Sequence, residues 1–428
     1  MPKAQALLKN LLILFFFLCA TGFVRAQDSL SIEQAIEIAL KNNPDISVYR
    51  LQIARVEAQR AGATFFLSLP EVDFGYRNDA LTNGNGFRMV DISVMQEFSI
   101  AGQGSLRRSI ASANIERARA EALSFERNLI AEVRRTYARL AVLERRVVLM
   151  EQLTASAQLL KEFAEESFKV GRGSEFDASL ARIDDATIRA EVSGAESDIL
   201  DANLNLNLLM GRAENTEIHT VIDTVIVEEK GSSDSLFKRG FAARADFRAL
   251  EQEVAAAEQE LQLANLVCYP NVRAGLTYDG DNSILEGIKG SRPITHLLGF
   301  RVAVAVPLSF GGLYNNGQAE ILQRTAERDI AVLQLAALRR RIEGEITLAS
   351  RKYEKARAAL LVFNGVLPEF QLNLDVLNKA YTLGQIDLNT LLTQKERMTR
   401  SQQSYLDVLE RYLIARSEYY QTLGFLPE

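Results

Sequence analysis

The chain has 428 residues, 47% of them hydrophobic, with 49 basic against 55 acidic side chains and a net charge of −6. That acidic balance argues against nucleic acid as a partner. Two cysteines and two histidines are too few for a disulfide scaffold or a histidine metal centre, and no phosphate-binding glycine loop ending in Gly-Lys-Ser/Thr occurs. Neither enzymatic activity nor a cofactor is expected.

Residues 1–26 read as an export signal: Lys3 and Lys9 form a basic start, Leu11 to Leu18 an apolar run, and Val24-Arg25-Ala26 a cleavage context. Cys19 invites a lipoprotein reading, but Leu18 before it is bulkier than the usual small residue, which favours ordinary cleavage. Cleavage removes Lys3, Lys9 and Arg25 and no acid, which takes the mature chain to about −9 and leaves Cys268 as its one cysteine. No later stretch reaches the roughly 18 apolar residues that a membrane helix needs.

Ser31 with Gln34 is a capping box, and the helix it opens is expected to run to about Leu67, where Pro70 stops it. Two strands follow. In the first, Val72, Phe74 and Tyr76 alternate with Glu71, Asp73 and Arg77; in the second, Val90, Ile92 and Val94 alternate with Asp91 and Ser93. Asn83 to Gly86 is the turn between them. Gln103 to Val170 is free of proline, and Leu129, Val133, Leu140, Leu143, Val147 and Met150 mark a coiled-coil seam. As one helix this segment spans about 100 Å. Gly171 to Ser174 breaks it, and a return helix runs to Met210. Asp184 and Asp185, adjacent on that helix, should point apart.

A linker, 212–234, carries short apolar runs and ends in Gly231-Ser232-Ser233. The plan then repeats. Val272, Ala274, Leu276 and Tyr278 alternate with Asn271, Arg273, Thr277 and Asp279; Leu298, Phe300, Val302, Val304 and Val306 alternate with Arg301, Ala303 and Ala305. A long helix from about Leu313, interrupted at Pro368, leads to a turn at Gly384 and a return helix to about Leu423. Five landmarks recur in order: Pro44-Asp45-Ile46 as Ala245-Asp246-Phe247, Leu69-Pro70 as Tyr269-Pro270, Glu97 to Gly102 as Pro307 to Gly312, Phe168 to Gly171 as Tyr381 to Gly384, and Leu209 to Gly211 as Thr422 to Gly424. The chain therefore divides into a signal peptide (1–26), a first repeat (27–211), a linker (212–234) and a second repeat (235–428).

Period-two strands with one greasy face, about 9–11 residues long, can cross a bilayer when tilted. Four strands cannot close a barrel, since the smallest need about eight, and open strand edges are forbidden in lipid. Several copies sharing one barrel resolve this. Val72, Phe74, Val90, Ile92, Val94, Leu276, Phe300, Val302 and Val304 would then face lipid, and Asp73, Asp91, Arg273 and Arg301 the lumen. Phe87, Phe98 and Phe310 sit where an aromatic girdle belongs. The long helices, packing laterally, would continue the pore as a hollow tube.

The signal peptide, the duplicated helix-strand-strand-long helix-helix order and the two (Phe/Tyr)-x-x-Gly turns resemble the TolC family of outer-membrane efflux ducts. The resemblance covers Asp28 to Leu426. It implies a mainly α fold with membrane β: four strands per chain in a shared trimeric barrel, and long antiparallel helical hairpins forming a periplasmic tunnel. It further implies a homotrimer in a Gram-negative outer membrane, with a periplasmic adaptor docked at the hairpin tips and an inner-membrane pump behind it. Gln96 to Gln103, followed by Arg107 and Arg108, resembles the strand-to-helix junction of the CzcC-type heavy-metal branch. At the tips, Leu383-Gly384 with Leu391-Leu392 matches the family pattern, and Gly171 is its counterpart in the first hairpin, where Ala178-Ser179 replaces the aliphatic pair. The leucines offer an adaptor contact or pack the hairpin, and the glycines permit the reversal. Asp387 fits two roles equally: a three-fold carboxylate ring at the tunnel aperture, or a helix cap. Export of metals or small toxic molecules, protein secretion through the same architecture, and a soluble periplasmic coiled-coil scaffold are all open at this point.

Overall fold

A computed structural model describes residues 29–62, 69–78, 88–221, 233–266, 269–281, 295–305, 317–363 and 367–424. The signal segment, the Asn83–Gly86 turn, Phe87, Cys268, Val306, Phe310 and linker residues 222–232 lie outside them. The element order is α1 (Ile32–Asn42), α2 (Pro44–Ala61), β1 (Glu71–Asn78), β2 (Arg88–Ser99), α3 (Gln103–Lys169), α4 (Glu175–Met210), α5 (Ser233–Ala243), α6 (Ala245–Asn265), β3 (Asn271–Asp281), β4 (Thr295–Ala305), α7 (Gln318–Phe363), α8 (Leu367–Thr382) and α9 (Leu388–Leu423). The expected capping box is present: the Gln34 amide donates to Ser31 Oγ and the Ser31 amide to Gln34 Oε1.

The first helix does not run unbroken to Leu67. It stops at Asn43, whose backbone is extended, because a residue before proline is pushed out of the α region while Pro44 suits the first position of a new helix. The second repeat breaks at the equivalent place without a proline. There Arg244 is extended, and its guanidinium bonds Asp246 and Glu345. Each break is packed by the glycine that ends the return helix of its repeat. Gly211 and Gly424 both adopt positive φ. A Cβ on Gly211 would lie 2.6 Å from the Asn42 carbonyl oxygen, and one on Gly424 3.0 Å from Ala243.

Contacts group the chain into two compact units, each drawing on both repeats. One comprises the described parts of Met1–Asn43, Asn128–Lys230 and Ala349–Gln421. Its core includes Leu140, Val142, Leu206, Met210, Leu409 and Tyr412. Leu129, Val133, Leu140, Leu143 and Met150 of the predicted seam are buried, but so are Ile130, Tyr137 and Val142, so α3 is covered more broadly than a two-position stripe provides. The Tyr137 hydroxyl donates to the Leu30 carbonyl (2.7 Å) and accepts from the Val221 amide (2.8 Å), pinning the parallel bridge of Leu30 with Thr220.

The other unit comprises the described parts of Pro44–Arg127, Gly231–Leu348 and Thr422–Glu428. It holds one antiparallel sheet of order β1-β2-β3-β4, together with α2, α5, α6 and the first parts of α3 and α7. Ile53 and Val56 of α2 pack against Ile115 and Ala118 of α3, and Tyr49 stacks on Phe125 with ring centroids 4.6 Å apart.

Gly211→Ala is expected to destabilise the fold by more than the roughly 1–2 kcal/mol cost of a left-handed non-glycine residue, because its Cβ also meets the Asn42 backbone. Gly194→Ala, in the interior of α4 with nothing within 4 Å of the added carbon, should instead stabilise by about 0.5–1 kcal/mol. Chemical denaturation of the two variants separates these outcomes by sign.

Candidate functional site

The register of the sheet collects the alternating apolar residues on one face. Val72, Phe74 and Tyr76 lie opposite Val94, Ile92 and Val90. Val94 and Ile92 in turn face Leu276 and Tyr278, and Leu276, Ala274 and Val272 face Phe300, Val302 and Val304. Direct partners in an antiparallel pair share a face, so this surface is apolar across all four strands, and most of its large side chains are exposed. The opposite face takes Asp73, Asp91, Arg273 and Arg301. On it Arg273 reaches Glu97 (3.6 Å) and Ser93 Oγ donates to Asp73 (3.4 Å). A Cβ on Gly75 would lie 2.2 Å from Asp91 Oδ1; the missing side chain makes room for that carboxylate.

Phe98 lies on the apolar face opposite Val272. The other end of that face carries aromatic groups the alternation pattern did not single out for a girdle: Tyr76, Tyr278 and His296. Tyr278 stacks on His296 at 5.7 Å, and its hydroxyl meets His296 Nδ1. At the strand-to-helix corner Gly102 takes a positive φ, and the side-chain amide of Gln103 donates to the Leu266 carbonyl at the end of α6 (3.1 Å).

The hairpin tips belong to the first unit. Gly171 and Gly384 take positive φ. Arg172 N–H donates to Ser167 C=O and Gln385 N–H to Ala380 C=O, each closing the preceding helix in the same way. Ser174 caps α4 by accepting from the Asp177 amide, and Asp387 caps α9 by accepting from the Thr390 amide (2.9 Å). Capping is thus the role of Asp387 within the chain. Thr390, through its side chain first and then its amide, holds the Asp387 carboxyl below the usual carboxylate range.

The tip pattern makes Leu391 a docking candidate. It is 1% exposed, packed with Leu160 and Leu388, while Leu392 is half-buried at the rim of the same cluster. Within the chain the Leu391 side chain is turned into the hairpin. Exposed at the tips are Leu383 (73%), Val170 and Phe176, of which only Leu383 was expected to dock. Gly171 and Gly384 are exposed as well.

Above the tips Asp184 and Asp185 do point apart. Asp185 accepts from Lys161 (2.8 Å) and Arg189 (3.0 Å), which together hold its carboxyl below the ordinary range. Asp184 pairs with Lys395 of α9 at 3.2 Å, and that lysine is 4% exposed. A cavity of about 490 Å³ adjoins the pair, lined among others by Leu180, Ile188, Leu392 and Glu191. Among the described residues, no group of His, Cys, Asp or Glu side chains could hold a metal ion, and no helix is long and apolar enough to cross a membrane.

Residues 35–212 match the outer membrane efflux protein family. Among solved structures, a membrane protein from Pseudomonas aeruginosa is similar at 16% identity and a TM-score of 0.76, covering 92% of this chain and 93% of its own. The outer membrane protein VceC from Vibrio cholerae gives 16% and 0.73, covering 92% and 96%. The CmeC outer membrane channel of Campylobacter jejuni gives 13% and 0.72, covering 92% and 85%. A search of curated proteins returns no match. Members of the outer membrane efflux protein family are conduits rather than enzymes, and the fold of this chain is TolC-like.

Two measurements check the tip geometry. Asp387→Ala should speed amide exchange in the first turn of α9, whereas Asp387→Asn keeps the cap and removes its titration. Because the Asp387 carboxyl is held low, the wild-type cap is fully in place above its unfolded value of about 4 and is lost as pH falls through the lower folded value; the Asn variant should show no such acid loss. Asp184→Asn strands a buried Lys395 and should cost about 3–5 kcal/mol, largely recovered by the double change Asp184→Leu with Lys395→Met.

Proposed function

We propose that this chain is the exit duct of a tripartite efflux assembly: three copies share one outer-membrane barrel, and substrate arrives through a periplasmic adaptor from an inner-membrane pump. The observation that carries this reading is the single apolar face running over four strands of membrane length, backed by a charged face and flanked by two edges that pair with no strand among the described residues. Lipid covers the apolar face, and Val72, Phe74, Val90, Ile92, Val94, Leu276, Phe300, Val302 and Val304 are the residues that meet it.

The charged face lines water. It carries both signs, so the duct imposes little selection, and the accompanying pump sets whether metal cations or small toxic molecules are exported. The adaptor docks at Gly171, Leu383 and Gly384, with Leu392 at the margin. Asp387 caps α9 and stays exposed, so three copies also set three carboxylates around the aperture. The export signal at 1–26 delivers the chain to the periplasm.

Val302→Arg should cost about 2–4 kcal/mol near the bilayer midplane, while Ala303→Arg, on the water-lined face, should be tolerated. The readout is the amount of folded protein recovered from outer membranes in detergent. Equal recovery of both variants contradicts the assigned faces.

A further inference from the structure

The first helix and the segment that follows α4 enclose another cavity, of about 470 Å³. α1 turns Ala35 and Ala39 into the core, while its Glu37, Ile38 and Lys41 line the cavity. Residues 212–218, which follow the glycine that ends α4, contribute Arg212, Glu217 and the buried Ile218, and Leu30 adds apolar surface. These walls are fixed from behind. Asn207, with no exposed surface, donates to the Thr216 carbonyl (2.7 Å), and Thr216 Oγ1 donates to the Ala213 carbonyl (2.9 Å). The Leu30 amide donates to the His219 carbonyl (2.8 Å). The cavity is therefore formed before anything enters it.

Its charges are arranged unusually. Glu37 stands four residues ahead of Lys41, the spacing and order that favour an ion pair along a helix. The two do not pair, and among the described residues Arg212 and Glu217 pair with nothing either. Two cations and two anions thus border one cavity, each beyond ion-pair reach of an opposite charge. A bare anion placed there gains from Lys41 and Arg212 but loses to Glu37 and Glu217, and a bare cation meets the reverse. A ligand with both signs at separate ends gains from all four, and its middle lies against Leu30, Ile38 and Ile218. A round cavity of this volume is about 10 Å across, the length of about three extended residues at roughly 3.3–3.6 Å each.

We propose that this cavity binds a short zwitterionic peptide of about three residues, its free carboxylate held by Lys41 and Arg212 and its free ammonium by Glu37 and Glu217. The planar fork of arginine and the point charge of lysine both suit a carboxylate. An ammonium has three donors, which two carboxylates can share. The bound peptide ties α1 to the segment after α4, so it stabilises the folded chain by mass action. None of the four residues belongs to the strand face or to the hairpin tips. The site therefore stands apart from the duct and does not depend on that reading.

The test is isothermal titration calorimetry of the full chain in detergent with trialanine, N-acetyl-trialanine and trialanine amide. The free peptide should bind saturably, and blocking either end should weaken binding about tenfold or more. In the double variant Lys41→Met with Arg212→Met, the advantage of trialanine over its amide should disappear. In Glu37→Gln with Glu217→Gln, its advantage over the acetylated peptide should disappear. The comparison of the three peptides on the wild type needs no variant, so it decides the matter even where a variant fails to fold. Absence of saturable trialanine binding overturns the site. A peptide with one end blocked that binds as well as the free one makes this a site for a single charge and overturns the zwitterion. Advantages that survive both double variants place the binding elsewhere and overturn the assignment to these residues.

Discussion

Everything in this protein depends on what happens to the unpaired backbone groups along β1 and β4. In water an open strand edge costs little, because solvent bonds it. In hydrocarbon each unpaired amide or carbonyl costs several kcal/mol, and two edges of eight and eleven residues present many such groups. No rearrangement within a four-stranded sheet removes both edges. The sheet either stays out of the membrane or shares its edges with other copies, and its apolar face excludes the first choice, since a face of valine, leucine and phenylalanine in water is itself unstable.

The helical part answers a parallel constraint. A helix of 67 residues cannot be covered by its own hairpin alone. The first unit solves this locally by gathering α3, α4 and α9 around leucines and a buried Lys395–Asp184 pair. That pair is an expensive way to join two helices, because desolvation offsets most of the attraction. A hydrophobic joint would hold as well, so its merit lies in fixing which faces meet.

Most of the fold was legible in the sequence because two periodicities, two and three-and-a-half, alternate twice in the same order. Strand faces followed directly: a period of two leaves no freedom once one residue is placed, and the register put Val72, Val94, Leu276 and Phe300 together as expected. The break at Asn43 was written in Pro44 but hidden by unbroken helical residues on either side. Its counterpart at Arg244 had no proline to mark it, and is held both by Asp246, two residues on, and by Glu345, roughly a hundred residues away along the chain. The burial of Leu391 was hidden for a similar reason. Its place beside a tip glycine reads as surface, and only the packing of Leu160 and Leu388 against it shows otherwise. Tyr278 and His296 come together across two strands, a proximity fixed by pairing rather than by any motif.

The central claim is that the chain completes its sheet only with copies of itself. Native mass spectrometry of the protein extracted from outer membranes in mild detergent tests it most directly. The account predicts a single species of three chains that persists through gentle activation. A species of one chain, or recovery of the folded protein from the soluble fraction without detergent, would contradict it.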